Sequence, residues 1–212
     1  LIGIVRKSLK EGQVMVFVNS RKSAEAAAEK LAEELGLQTE TEKTAEAVEE
    51  ALNPPTRQCL RLASCIRRGT AFHHAGLVNQ QRTAVEDAFR EGLIKVITAT
   101  PTLAAGVNLP SRTVILRDVR RYGDGGLGYI SVLEYKQMVG RAGRPRYDDR
   151  GYAITIAKDE SEAEYIEEHY IRGQPEDIYS QLGVHPVLRF HTLASIASGF
   201  TKTNEALAEF VR

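Results

Sequence analysis

Short β-branched runs recur along the chain between longer stretches of helical periodicity: Val14 to Val18, Ala71 to His73, Lys95 to Thr98, Thr113 to Leu116 and Tyr152 to Ala157. Several of these runs are apolar throughout rather than alternating, the pattern of a strand covered on both faces. With helical patterns between them, they predict an α/β domain in which crossover helices wrap a parallel sheet.

The helix boundaries are chemically marked. Arg21 to Leu35 is predicted as the first crossover helix, with Ser20 placed to cap it and Gly36 to end it; a second helix is predicted over Gln80 to Glu91, between Asn79 and Gly92. Leu37 to Ile66 is longer than a crossover needs, and Asn53-Pro54-Pro55 divides it into two helices, so it reads as a helical insertion. Arg117 to Tyr122 and Leu127 to Val132 flank Gly123-Asp124-Gly125-Gly126, a β-hairpin pattern.

Around Gly173-Gln174-Pro175 the sheet signals stop, and helical patterns follow over Val187 to Ser198 and Asn204 to Val211. The expected organisation is a sheet domain over residues 1–173 and a helical extension over 174–212. Two helices joined by a Gly-containing turn fit DNA binding or plain packing.

Composition narrows the classes. At 212 residues with 42% hydrophobic and 26% charged residues, the chain can bury a continuous core, and no apolar run is long enough to cross a bilayer. Leu1 opens the chain with neither Met nor a secretory leader, so the expectation is a piece of a longer, cytoplasmic protein. Cys59 and Cys65 stand six apart in a helical pattern and suggest neither a disulfide framework nor a metal knuckle. Lys plus Arg equals Asp plus Glu at 28 each, which argues against a uniformly basic coat. The charges are nonetheless sorted. Nine acidic residues between Ala24 and Glu50 read as a solvated helical face, while Arg57, Arg61, Arg67 and Arg68 form a stretch without an acid. Eight basic residues oppose five acidic ones between Arg117 and Arg150.

The most unusual stretch runs from Gln137 to Pro145, where Arg141 and Arg144 are each preceded by glycine. Glycine lets backbone approach a ligand closely, and a planar guanidinium fork suits the spread negative charge of a phosphoryl group in transfer. A surface ion-pair cluster with Asp148 and Asp149 fits the same residues. Thr98 to Pro110 follows the third strand, at the carboxyl end where open α/β sheets place ligands, and its hydroxyls and N–H groups could hold phosphates; a routine strand-to-helix turn fits it too. His73 and His74 have no carboxylate or cysteine at ligand spacing, so structural roles are expected and no metal site.

Taken together, the last two stretches resemble motifs V and VI of superfamily 2 helicases, the second being of the form Q-x-x-G-R-x-G-R. Val16 to Arg21 resembles motif IV, and Phe72 to Leu77 with Gln80 and Arg82 resembles the family's next block. The wording is closest to the Ski-like branch and, within it, to archaeal HelQ-like repair helicases, over Val14 to about Arg172. The tail is similar to the opening helices of the family's winged-helix domain.

The resemblance implies a second RecA-like motor domain of a 3′ to 5′ DNA helicase that opens duplex or forked DNA in repair. It implies that Arg141 and Arg144 face the γ-phosphate of ATP, with Arg144 as the finger, that Gly106 and Asn108 form the same edge, and that Gln137 couples the two motor domains. Ser20, Arg21, Arg82 and Thr100 would lie on the nucleic-acid side. Tyr122, Leu127 and Tyr129 of the hairpin would wedge against the last base pair, with Arg120 and Arg121 on strand phosphates.

No G-x-x-x-x-G-K-[ST] loop and no D-E-x-[DH] box occurs; Asp159-Glu160-Ser161-Glu162 reads as a helix start. The expected partners are therefore the first RecA-like domain in cis, which would hold most of ATP and Mg2+, and single-stranded or forked DNA. A monomeric motor is expected, inactive without that domain. An RNA helicase of the same branch and a non-catalytic nucleic-acid or protein interaction module are the other readings.

Overall fold

A computed structural model of the chain describes residues 1–123, 126–144, 148–177 and 185–211. Asp124 and Gly125 of the hairpin turn and Pro145 of the arginine stretch lie outside the described residues.

Five strands make one parallel sheet: β1 (Val14–Phe17), β2 (Thr70–His73), β3 (Val96–Ala99), β4 (Thr113–Leu116) and β7 (Tyr152–Thr155), in the order β2-β3-β1-β4-β7. Val14 of β1 pairs in register with Val96 of β3 on one side and Thr113 of β4 on the other. Every residue of β1 to β4 is buried, although successive side chains point to opposite faces, so both faces of the sheet are covered. This is the parallel α/β sheet the apolar runs predict, and it fits the RecA-like fold that the resemblance implies. The edge strand β7 is more exposed.

Helix α2 (Arg21–Leu35) begins and ends as its sequence marks: the Ser20 side chain accepts a hydrogen bond from the Ser23 N–H, and Gly36 closes the helix with a φ of 56°. Its buried positions, Ala24, Ala27, Ala28, Leu31 and Ala32, recur at helical spacing and press small side chains against β2 and β3. The insertion forms α3 (Glu42–Glu49) and α4 (Arg57–Ile66), two helices packed on each other. Helix α5 (Asn79–Arg90) starts one residue before the predicted span; Val78 is its cap residue, and the Gln81 amide reaches back to the Val78 N–H at 3.4 Å.

Three further elements of the sheet unit are α1 (Ile2–Ser8), α6 (Thr102–Gly106) and α7 (Val132–Val139). The hairpin is β5 (Arg120–Gly123) with β6 (Gly126–Tyr129), and after β7 come α8 (Glu160–Tyr165) and a π-helical turn, Ile166–Ile171. Asp159 caps α8 through the Glu162 N–H at 2.8 Å, as a helix start requires. Leu1–Pro175 form one compact unit and Glu176–Arg212 another. The second contains α9 (His185–Ala197) and α10 (Asn204–Val211), with a turn at Gly199, whose φ is 73°.

Candidate functional site

Because β4 and β7 are parallel, the chain between them must return from the carboxyl edge of the sheet to its amino edge. Helix α7 makes that return and delivers Arg141 and Arg144 to the amino edge. The loop is pinned there by backbone: Ser111, just ahead of β4, donates its N–H to the Arg141 carbonyl at 2.9 Å and accepts the Gly143 N–H at 2.7 Å. Gly143 has a φ of 91°, a conformation open to glycine, and its neighbour across the loop is Gly151. A Cβ on Gly151 would lie 2.3 Å from the Gly143 nitrogen. The glycine at 143 thus serves approach to another backbone.

Arg141 reaches along this edge. Its Nη1 donates to the Asn108 Oδ1 at 3.3 Å and its Nη2 to the Ala104 carbonyl, while its Nε is buried with no hydrogen-bond partner. Arg144 holds the carboxylate of Asp148 through Nε and Nη2, and its Nη1 lies 3.4 Å from the Gln13 Oε1. Those donors hold the Asp148 carboxyl below its ordinary pKa. Of the ion-pair cluster that the sequence offered as an alternative, the Arg144–Asp148 pair forms, and Arg144 stays 33% exposed within it. Gln13 is buried and donates its amide to the carbonyls of Phe89 and Ile94 at 2.6 and 2.8 Å, so Arg144 rests on a fixed group.

The Thr98 to Pro110 stretch departs from its expected place at the carboxyl edge. Thr100 stays there, with its N–H on the His73 carbonyl at 3.3 Å and its hydroxyl 2.9 Å from that of Thr102. Since β4 runs parallel to β3, the rest must travel back to the start of β4, and it carries the exposed Gly106 and Asn108 toward Arg141.

The remaining predicted residues sit at the carboxyl edge. Strand order reverses between β1 and β4, and the crevice above that point is bridged by the Asn19 N–H on Asp118 Oδ2 at 3.1 Å, with Arg117 on the same oxygen at 2.6 Å. Ser20 and Arg21 open α2 beside it and are exposed. Arg82, in the first turn of α5, donates Nη2 to Asn79 at 3.3 Å and keeps a buried Nε without a hydrogen-bond partner. The two histidines behind them are buried, each with a carboxylate that its local spacing did not offer: Glu86 lies 2.9 Å from His73 Nε2 and Glu25 3.2 Å from His74 Nε2. Burial lowers both histidine pKa values, with the carboxylates opposing it.

The hairpin pairs Arg120 with Tyr129 at its base and Tyr122 with Leu127 near its tip. Tyr122 is 80% and Leu127 53% exposed. Tyr129 is placed otherwise than a free stacking surface: its ring stacks on Tyr165 at 4.2 Å and carries the Arg120 guanidinium over it at 4.2 Å. Arg120 also pairs with Glu162 at 3.3 Å, and Arg121 with Glu134 at 2.7 Å. Burial raises the Glu134 carboxyl while Arg121 opposes it. Gln137 is exposed on α7, one turn after Leu133, in a shallow concavity shared with Pro101, Thr102 and Arg121.

Residues 55–146 match the family model of the helicase conserved C-terminal domain. The chain is 46% identical to the ATP-dependent DNA helicase Hel308 of Methanocella arvoryzae over 98% of its length, and 44% identical to those of Thermoplasma volcanium and Pyrobaculum calidifontis over 95% and 94%. Over nearly its whole length the chain matches a region of helicases of superfamily 2, in the Ski-like branch. It spans 29% of the length of each of these three relatives.

Within the family's motifs the fold adds groups that local reading missed. Gln13 and Gly151 set the arginine loop beside Asp148, the ion-pair partner that the sequence offered, and Asp118 spans the crevice. Gln13 is the polar residue immediately before an all-apolar strand, which is a weak sign; Gly151 and Asp118 carry no local signal.

Proposed function

We propose that this chain is the second motor domain of an ATP-dependent DNA helicase, moving 3′ to 5′ and opening forked duplexes. The observation that carries the proposal is the joint placement of Arg141 and Arg144 at one edge of the sheet, beside Gly106 and Asn108, with Ser20, Arg21, Arg82 and Thr100 at the opposite edge. Two chemistries are thereby separated by the length of a strand and joined by rigid secondary structure.

The arginine edge suits a triphosphate. Arg141 brings a buried, unpartnered Nε, and Arg144 already holds two carboxylate oxygens in the bidentate geometry it would use on phosphoryl oxygens. Bound ATP with Mg2+ supplies the phosphoryl group; the part of this chain is to neutralise developing charge, Arg144 exchanging Asp148 for phosphate. The cradle for that nucleotide would come from a first RecA-like domain in cis, with Gln137 coupling the two. Closure and opening of the pair would shift the grips of Ser20, Arg21, Arg82 and Thr100 along strand phosphates and drive Tyr122 and Leu127 into the junction, with Arg121 at the hairpin flank. Residues 174–212 would open a winged-helix domain, and the motor would act as a monomer in the cytoplasm. The names of the relatives favour DNA over RNA.

Replacing Arg144 with Ala in the full-length protein tests this reading. DNA-stimulated ATP hydrolysis is expected to fall by about a thousandfold, the magnitude of losing an arginine finger, with a melting transition lowered only by the loss of the Arg144–Asp148 pair, about 1 kcal/mol. Turnover at the parent rate would refute the assignment.

A further inference from the structure

The hairpin is attached to the motor body at its base by aromatic rings rather than by the sheet. Tyr129, the last residue of β6, stacks on Tyr165 of α8 at 4.2 Å. Tyr165 meets Tyr170 edge-on at 6.0 Å, and Tyr170 stacks on Tyr135 of α7 at 4.6 Å. Tyr170 is fully buried in the π-helical turn and donates its hydroxyl to the carbonyl of Ile130, the residue that follows β6. Tyr135 is anchored in turn by its hydroxyl, 3.0 Å from that of Thr155 in β7. Beside the rings, Glu162 of α8 receives Arg120 at 3.3 Å and lies 3.5 Å from the Tyr129 hydroxyl. Four rings therefore run without a gap from the hairpin base to α7, the helix that leads into the arginine loop.

We infer that this tyrosine column fixes the angle of the hairpin and ties it to the helix that leads into the arginine loop, and that Tyr165 and Glu162 are positioning residues for strand separation. The inference rests on the hairpin acting as the wedge. Rings stacked in this way resist shear and transmit rotation because their contact is broad and directional, whereas a two-stranded ribbon is weakly stable alone. The π-helical turn fits the same role: the wider winding brings Tyr165 and Tyr170, five residues apart, to one column. A movement of α7 on nucleotide turnover would then tilt the exposed Tyr122–Leu127 pair rather than leave the hairpin to swing freely.

The test uses full-length protein with Tyr165→Ala, Tyr165→Phe, Glu162→Gln and, as a control on the wedge, the double change Tyr122→Ala and Leu127→Ala. Unwinding of a fork with a 3′ tail and ATP hydrolysis on single-stranded DNA are measured side by side, together with hydrogen exchange of the 120–129 amides. Tyr165→Ala is expected to slow unwinding about fivefold to tenfold, the rate equivalent of one aromatic contact, with hydrolysis unchanged and hairpin exchange accelerated; Tyr165→Phe restores both. Glu162→Gln is expected to act in the same direction more weakly. If Tyr165→Ala unwinds normally while the tip double variant does not, the column has no positioning role. Equal loss of hydrolysis and unwinding in Tyr165→Ala would assign it to stability alone. A tip variant that unwinds normally would remove the wedge itself, and unaltered exchange in Tyr165→Ala would show separately that the column does not hold the hairpin.

Discussion

The guanidinium of Arg144 and the carboxylate of Asp148, four residues apart across the arginine loop, are joined at two points, 2.9 Å from Nε to Oδ2 and 3.0 Å from Nη2 to Oδ1, and the Arg144 N–H adds a third bond at 2.9 Å. Asp148 is 6% exposed and also faces Arg112 at 3.6 Å. The pair holds the Arg144 guanidinium in a bidentate geometry that would serve phosphoryl oxygens as well as a carboxylate.

Asp148→Asn is expected to lower stability by about 1 kcal/mol, the screened value for a charged pair open to solvent on one side. The pH dependence follows from the lowered Asp148 pKa. The unfolded chain binds this proton near pH 4 and the folded chain only below that, so the contribution is present above about pH 4 and fades as pH falls further. Chemical denaturation of both proteins from pH 6 to pH 3 should give curves that converge at the acid end.

Gly151→Ala is expected to disrupt the arginine loop. The new Cβ would stand 2.3 Å from the Gly143 nitrogen and 2.4 Å from the Ala142 carbonyl carbon, and both neighbours are backbone that cannot rotate aside. The loop must shift, at roughly 1–3 kcal/mol of stability by analogy with overpacked cores. Arg141 and Arg144 shift with it, so hydrolysis by the full-length protein should fall along with the denaturation midpoint.

Much of the architecture is legible locally because local chemistry specifies it. Ser20 and Gly36 bound α2, apolar runs mark β1 to β4, and the stretch with Gln137, Gly140, Arg141 and Arg144 forms the end of α7 and the loop that follows it. What local reading separates, the fold joins. The acidic stretch from Ala24 to Glu50 and the arginines from Arg57 to Arg68 read as independent charged sectors, yet Arg61 pairs with Glu25 and with Glu29 at 2.5 Å, and Arg67 with Glu42 at 2.9 Å and Glu49 at 3.1 Å. Those partners stand 18 to 36 positions apart, a separation at which periodicity carries no information. The same limit hid Tyr165, which meets Tyr129 only after β7 has crossed the sheet edge.

Arg61→Ala is expected to destabilise the sheet unit by roughly 1–2 kcal/mol, allowing for a guanidinium that is one-third exposed. The cost comes from Glu25. Burial pushes the Glu25 carboxyl up, and its hydrogen bonds from Gln58 and Arg61 outweigh that and leave it lowered. Without Arg61 this carboxylate keeps Gln58 and His74 as partners but loses its strongest charge partner. Arg61→Ala combined with Glu25→Gln should recover part of the loss in urea denaturation, and an additive double variant would show that the pair is not coupled.

His73 and His74 should make stability fall on mild acidification. His74 Nδ1 accepts the Gly76 N–H at 3.1 Å, which leaves its proton on Nε2 facing Glu25, and both rings are buried in their neutral form. Burial lowers both pKa values, and Glu86 and Glu25 oppose it without reversing it. Between the ordinary histidine value of about 6.5 and the lowered folded value, the unfolded chain takes up protons that the folded chain refuses. Stability is therefore full above that window and declines as pH drops through it, by at most about 1.4 kcal/mol per pH unit for each ring. His73→Gln and His74→Gln should each flatten the denaturation midpoint between pH 7 and pH 5; an unchanged slope in both would mean that the rings are protonated in the folded state.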